Sequence, residues 1–165
     1  AGDAPTEGVL RTYAVRVEDG IVENRPIAGT RRRDADPEQV WQRIRKSRAS
    51  IGALLLDQSV ISGVGNVYRA EVLFVNQIHP NRWGKSLSEQ EFGAIWETLY
   101  QWLRIGVKYN RIITAHSKQR GKPGRLNGAE RLLVYKKIHC PDCGAEIKSW
   151  ELGSRKIYAC DFCQN

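Results

Sequence analysis

Four cysteines fall as Cys140-Pro-Asp-Cys143 and Cys160-Asp-Phe-Cys163, two CxxC pairs separated by 16 residues, with no cysteine left over. Each pair turns two sulfurs toward one point, and four thiolates at about 2.3 Å complete a closed tetrahedral zinc shell. The rival chemistries are a disulfide pair and a redox CxxC, yet neither a secretory context nor a thioredoxin-like strand and helix surrounds either pair. A closed shell leaves no position for a catalytic water. The expected metal is therefore one structural Zn2+ held by Cys140, Cys143, Cys160 and Cys163.

A second arrangement, Gly63-Val-Gly65-Asn66 between two apolar segments, suits an anion. Glycines let backbone approach a phosphate closely, a helix starting near Asn66 offers unpaired amides at its positive end, and the asparagine adds a donor. An ordinary glycine-bearing helix turn explains the tetrapeptide equally well on its own. The net charge of +8 supports a polyanionic partner, and the excess is uneven. Residues 1 to 36 carry six basic and seven acidic side chains, whereas residues 37 to 165 carry 20 basic and 11 acidic, so the basic surface belongs to the later part.

These groups need a scaffold, and the pattern supplies helices. Asp36-Pro37-Glu38-Gln39 reads as an N-cap, a first-position proline and a capping box, with Val40, Trp41 and Ile44 as the apolar stripe that follows. Residues 53 to 61 are nearly all apolar and lead through the glycine turn into Val67, Ala70, Val72, Leu73 and Phe74, predicting helix, turn, helix. Ser88 to Glu91 forms another capping box, Leu87 and Phe92 a hydrophobic staple, and Ile95, Trp96, Leu99 and Leu103 carry that helix to an expected end at Gly106. Residues 9 to 24 alternate around Asp19-Gly20 and predict a β-hairpin. Residues 114 to 131, with three glycines and five basic side chains, have no periodicity and predict a long loop.

The length of 165 residues, 41% hydrophobic and 27% charged content predict a folded protein, and no apolar run nears the roughly 20 residues of a membrane span. The start, Ala1-Gly2-Asp3, has neither the basic nor the apolar region of a signal peptide, which sets the expected location in the cytosol.

The stretch from Leu54 to Phe74 with Ile78-His79-Pro80, followed by Val134-Tyr135, the four cysteines, Arg155 and Gln164, resembles the formamidopyrimidine-DNA glycosylase and endonuclease VIII (Fpg/Nei) family, most closely its endonuclease VIII branch. The likeness covers about residues 30 to 165. It implies a mainly α fold: a short N-terminal β remnant and linker in residues 1 to 35, a helix-two-turn-helix DNA-binding domain in 36 to 132, and a zinc-bound β-hairpin in 133 to 165. It also implies that Asn66 binds backbone phosphates, with Gly63 and Gly65 as DNA-binding positions of the same turn, and that Arg155 at the hairpin tip grips phosphates flanking an extruded nucleotide. Glu71 matches a family glutamate inside the second helix, for which structural and functional roles are both open.

Catalysis in the family depends on an N-terminal proline amine and on a lysine of a β-sandwich. Pro5-Thr-Glu7-Gly8 echoes that start, but the nitrogen of Pro5 lies in an amide and is no nucleophile. The expectation is accordingly a chain with no catalytic residue of its own and no turnover as it stands, the DNA-binding portion of a base-excision glycosylase and AP lyase acting on oxidised bases. Its expected partner is damaged double-stranded DNA, bound by a monomer. The alternative is a stand-alone nucleic-acid-binding zinc module without catalysis, and a third reading is a zinc-ribbon protein adaptor.

Overall fold

A computed structural model of the chain describes residues 36–114 and 131–165. The expected N-terminal hairpin, and all but the ends of the expected loop, lie outside the described residues. Helix α1 (Pro37–Ile44) starts as the sequence predicts, with Asp36 as N-cap and Val40, Trp41 and Ile44 buried. The capping box is not made: the short Asp36 carboxylate reaches the Glu38 amide (3.0 Å), and no reciprocal bond comes from Gln39.

Helix α2 (Ile51–Leu56) is capped by the Ser50 hydroxyl and is shorter than the apolar run suggests. Asp57 ends it, because its carboxylate accepts from the amide (2.9 Å) and hydroxyl (2.7 Å) of Ser59 and so offers the backbone a turn in place of another helical bond. These two bonds, with Arg43 a smaller contributor, also hold the Asp57 carboxyl below its usual range. Val60 and Ile61 stay buried from within the turn. Gln58 then braces the glycine loop, accepting from the Gly63 amide (2.8 Å) and donating to the Val64 carbonyl (3.3 Å). Gly63 has φ 87°, a conformation that excludes most side chains.

Helix α3 (Asn66–Val75) follows, with Gly65 as a cap that contributes no side-chain bond. Helix α4 (Glu89–Tyr109) opens with the expected Ser88–Glu91 capping box. It runs past Gly106, which is buried, and stops at Asn110 in the left-handed conformation (φ 54°), a backbone state asparagine tolerates. An apolar core joins all four helices, from Val40 and Trp41 through Leu55, Tyr68, Val72 and Leu73 to Phe92, Leu99 and Leu103. Three of the five tryptophans, Trp41, Trp96 and Trp102, are in it.

The rest is a two-stranded antiparallel sheet, β1 (Lys148–Leu152) and β2 (Arg155–Ala159), in the register Trp150 to Ile157. Its turn, Gly153-Ser154, has φ 68° and 69°, the left-handed pair that matches strand twist in a tight hairpin. A second, smaller core lies behind it. Leu133, Val134, Ile147 and Ile157 pack there with Cys140 and Cys160 against Ala70 and Phe74 of α3. Helix α3 therefore serves both cores, one on each face.

Candidate nucleic-acid interface

The four cysteine sulfurs all lie within 4.8 Å of one another. Cys140 and Cys163 are 3.8 Å apart and Cys143 and Cys160 3.5 Å, far beyond the ~2.05 Å of a disulfide. A tetrahedron with bonds of about 2.3 Å has edges of roughly 3.8 Å, so the cluster has the dimensions of a four-thiolate metal site. Burial and then the three neighbouring thiols push the Cys163 thiol up to about 12. Four thiolates this close need a cation between them, which is what a divalent metal supplies. The knuckles are held by the backbone: Gly144 donates to the Cys140 carbonyl (2.9 Å), and Gln164 to that of Cys160 (3.0 Å).

The cysteine module is fastened to α3 by side chains buried where the two meet. Arg69 is fully buried and uses all five guanidinium hydrogens. Nε and Nη2 donate to Asn66 Oδ1 (3.2 and 2.6 Å), Nη1 to the carbonyls of Gly52 (3.0 Å) and Leu152 (2.6 Å), and Nη2 also to that of Arg155 (3.1 Å). Leu152 and Arg155 flank the hairpin turn, so one guanidinium clasps both sides of it. No carboxylate shares in this set. Burial, followed by the nearby charge of Arg155, lowers Arg69 from its ordinary value to about 10, where it is still protonated near neutral pH.

Glu71, two residues on, is also fully buried. It accepts the hydroxyl of Thr114 and the amides of Leu133 (2.7 Å), Val134 (2.6 Å) and Tyr135 (2.8 Å). Of its two open roles, the geometry shows the structural one: Glu71 ties to α3 the chain on both sides of residues 115–130. Gln164 completes the set by joining the Cys160 amide (2.8 Å) to the Ile78 carbonyl (3.0 Å). His79 adds a ring stacked on Trp150 (5.6 Å between centroids) and a 3.0 Å contact with Asp161.

Asn66 and Arg155 sit on one edge of this junction. Asn66 Nδ2 donates to the carbonyl of Lys156 (2.8 Å), the neighbour of Arg155, and Arg69 joins Asn66 Oδ1 to the Arg155 carbonyl. They adjoin, although one opens α3 and the other starts β2. The Arg155 side chain is exposed, with no partner among the described residues, whereas Asn66 is only 8% exposed and has one amide hydrogen to spare. Gly63 and Gly65 are buried, and the Gly63 amide is already given to Gln58. Sequence reasoning missed Arg69. The signal was present: a lone cation inside the apolar run from Val67 to Val75, whose near neighbour Glu71 is two residues away and so on another face of the helix.

Among known proteins, the formamidopyrimidine-DNA glycosylase H2TH domain matches residues 28–118. Endonuclease 8 1 of Mycobacterium tuberculosis is 42% identical over 136 residues, covering 81% of this chain and 51% of that protein. The formamidopyrimidine-DNA glycosylase of Pasteurella multocida is 32% identical over 130 residues, covering 78% and 48%. The chain thus spans about half the length of the curated relatives it matches. Lactococcus lactis Fpg in complex with DNA containing an abasic site superposes on 79% of this chain and 47% of its own, with a TM-score of 0.64 and 28% identity. The same enzyme bound to DNA containing Fapy-dG gives 0.63 and 29%, over 78% and 47%. With its helix-turn-helix, its four clustered cysteines and the matched domain together, this chain belongs to the Fpg/Nei family.

Proposed function

We propose that residues 36–165 are the DNA-binding portion of an endonuclease VIII-like base-excision glycosylase and AP lyase of the bacterial cytosol, which grips damaged duplex DNA as a monomer. The whole enzyme would extrude an oxidised base, cleave its glycosidic bond and nick the strand, while this portion supplies grip and geometry. One observation carries the reading. Arg69 locks the start of α3 to the hairpin turn, so that the spare Asn66 hydrogen and the exposed Arg155 guanidinium are presented together on one edge. A helix start and a guanidinium both suit phosphate, and neither offers a recognition helix for the major groove. Gly63 and Gly65 shape the turn that sets Asn66 at the helix start. One structural zinc on Cys140, Cys143, Cys160 and Cys163 holds the hairpin that carries Arg155.

The test is binding to a duplex with a central abasic analogue. Arg155→Ala should weaken it by about 1 to 3 kcal/mol and lower the salt slope by about one phosphate's worth. Asn66→Ala should weaken it with little change of slope, because the side chain is neutral. Wild-type affinity for both variants at about 0.15 M salt would refute this interface and favour a zinc-ribbon protein adaptor.

A further inference from the structure

Beyond the junction, one surface carries cations around an exposed aromatic ring. The loop 45–50 is laced to residues 82–86: the Ile51 amide donates to the Arg82 carbonyl (2.7 Å), the Gly84 amide to Ala49 (2.8 Å) and the Lys85 amide to Ser47 (2.8 Å), and Ser50 bridges to Trp83. This lacing brings Arg45, Lys46, Arg48 and Lys85 together, all exposed, and neither segment contains an Asp or Glu. Arg82 is occupied with Glu91. Lys46, Arg48 and Lys85 have no acidic partner among the described residues. Trp83 is 51% exposed, while the three helical tryptophans are buried, and the Lys85 ammonium lies 5.5 Å from its ring centre. Because the backbone around Trp83 is hydrogen-bonded, the point from which the indole projects is fixed before any ligand arrives.

We propose that Trp83, with Lys46, Arg48 and Lys85, is a second nucleic-acid contact: a stacking platform for unpaired bases of a single strand leaving the duplex held at the junction. The inference rests on the DNA-binding reading above and adds a site to it. Cations alone would suit any phosphate. A half-exposed indole among them selects for a flat π face, and a base offers one only when unstacked from its neighbours. Exposed aromatic surface set in a basic field is also the composition expected where a strand is gripped without regard to sequence. The platform is continuous with the junction. Gly52, whose carbonyl is held by Arg69, donates its amide to the carbonyl of Pro80 (2.9 Å), three residues before Trp83.

The experiment compares a blunt abasic-analogue duplex with the same duplex bearing a single-stranded tail of about eight thymidines, and with that strand alone. The tail should tighten binding by the full chain about tenfold, the effect of one stacked base plus its phosphates. Trp83→Ala should abolish that gain and leave the blunt duplex unchanged, Trp83→Phe should keep most of it, and Lys46→Glu with Arg48→Glu should reduce both the gain and its salt dependence. Indole fluorescence should be quenched by the strand in wild type and not in Trp83→Phe. A gain that survives Trp83→Ala, or a loss of equal size on blunt and tailed duplex, would overturn the platform. Displacement of the strand by polyglutamate of equal charge would overturn it too, in favour of an acidic protein segment. Asn66→Ala and Arg155→Ala should weaken both duplexes alike and preserve the gain. If wild type ignores the blunt duplex yet binds the thymidine strand through Trp83, the junction reading fails and the platform stands.

Discussion

The helical region and the cysteine region are held together by different physics. The first buries twenty apolar side chains in one core drawn from α1 to α4. The second buries eight, of which two are cysteines and two belong to α3, leaving Leu133, Val134, Ile147 and Ile157 as its own aliphatic content. At that size apolar burial does not offset the entropy of ordering the chain. Directional bonds make up the difference: the cysteine cluster within, and Arg69, Glu71 and Gln164 toward the helices. A non-directional core tolerates small errors of placement, whereas a set of bonds fixes position to tenths of an ångström. On the proposed function, the region that presents Arg155 at a defined place is thus the region built from bonds.

The strongest way to break this contrast is to remove a sulfur. Cys160→Ser should release the metal and unfold about residues 133 to 165 while α1 to α4 persist, since zinc binding in modules this small is worth about 10 kcal/mol or more and is their folding energy. Metal content by mass spectrometry and hydrogen exchange along the chain provide the check. Less than half an equivalent of zinc in freshly reduced wild type would refute the metal, and helices that exchange as fast as the hairpin would refute the independence of the two regions.

A smaller break is Arg69→Gln. Gln has two amide hydrogens where Arg69 uses five, so several of the carbonyls of Gly52, Leu152 and Arg155 and the Asn66 amide oxygen lose their donor. Orphaned buried acceptors cost about 1 to 3 kcal/mol each, partly relieved here because the buried charge is removed as well. The expected loss is about 3 kcal/mol, read by urea unfolding. It should appear in the hairpin signal before the helical one, with DNA affinity falling in step although Arg69 touches no phosphate. Arg69→Lys should rescue little, since an ammonium has three donors and no fork. Unchanged DNA affinity in a destabilised Arg69→Gln would show that the clasp does not position Arg155.

The contrast also explains what could be read from the sequence. The helices follow from apolar periodicity, the cysteine cluster from spacing, and the start of α3 from its glycines, because each is encoded within a few neighbouring residues. The boundaries that differed turned on single side chains competing with the backbone: Asp57 closing a turn with Ser59, and Asn110 supplying the left-handed stop that Gly106 was expected to give. Least legible were the ties between regions. Arg69 meets Leu152 and Arg155 from 83 and 86 residues away, and Glu71 meets Leu133 from 62. No local pattern encodes such partners. What remains visible is a charge where an apolar residue belongs, which marks Arg69 and Glu71 as special without naming whom they meet.

The mildest test asks whether polar ties matter equally in the helical region. Glu91 caps α4 and receives a two-pronged contact from Arg82, with Nη1 to Oε2 at 2.8 Å and Nη2 to Oε1 at 3.0 Å, and both side chains keep about a third of their surface in solvent. The Arg82 bonds lead in holding the Glu91 carboxyl below its ordinary 4.5, with Ser88 assisting. Because the folded state favours the ionised form, the contribution is complete above that ordinary value and is lost as pH falls through the lower folded one. Glu91→Gln keeps the acceptor needed for the Ser88 amide and so removes mainly the ion pair. Solvent screening limits the expected cost to about 0.5 kcal/mol near neutral pH, several-fold less than for Arg69→Gln. Urea unfolding followed by helical circular dichroism should show that difference at pH 7, shrinking as pH falls below the ordinary carboxylate range and through the lowered folded value. A cost above 2 kcal/mol at pH 7, or one undiminished in acid, would mean that the helical region depends on directional bonds as much as the hairpin does, and the division between the two would fall.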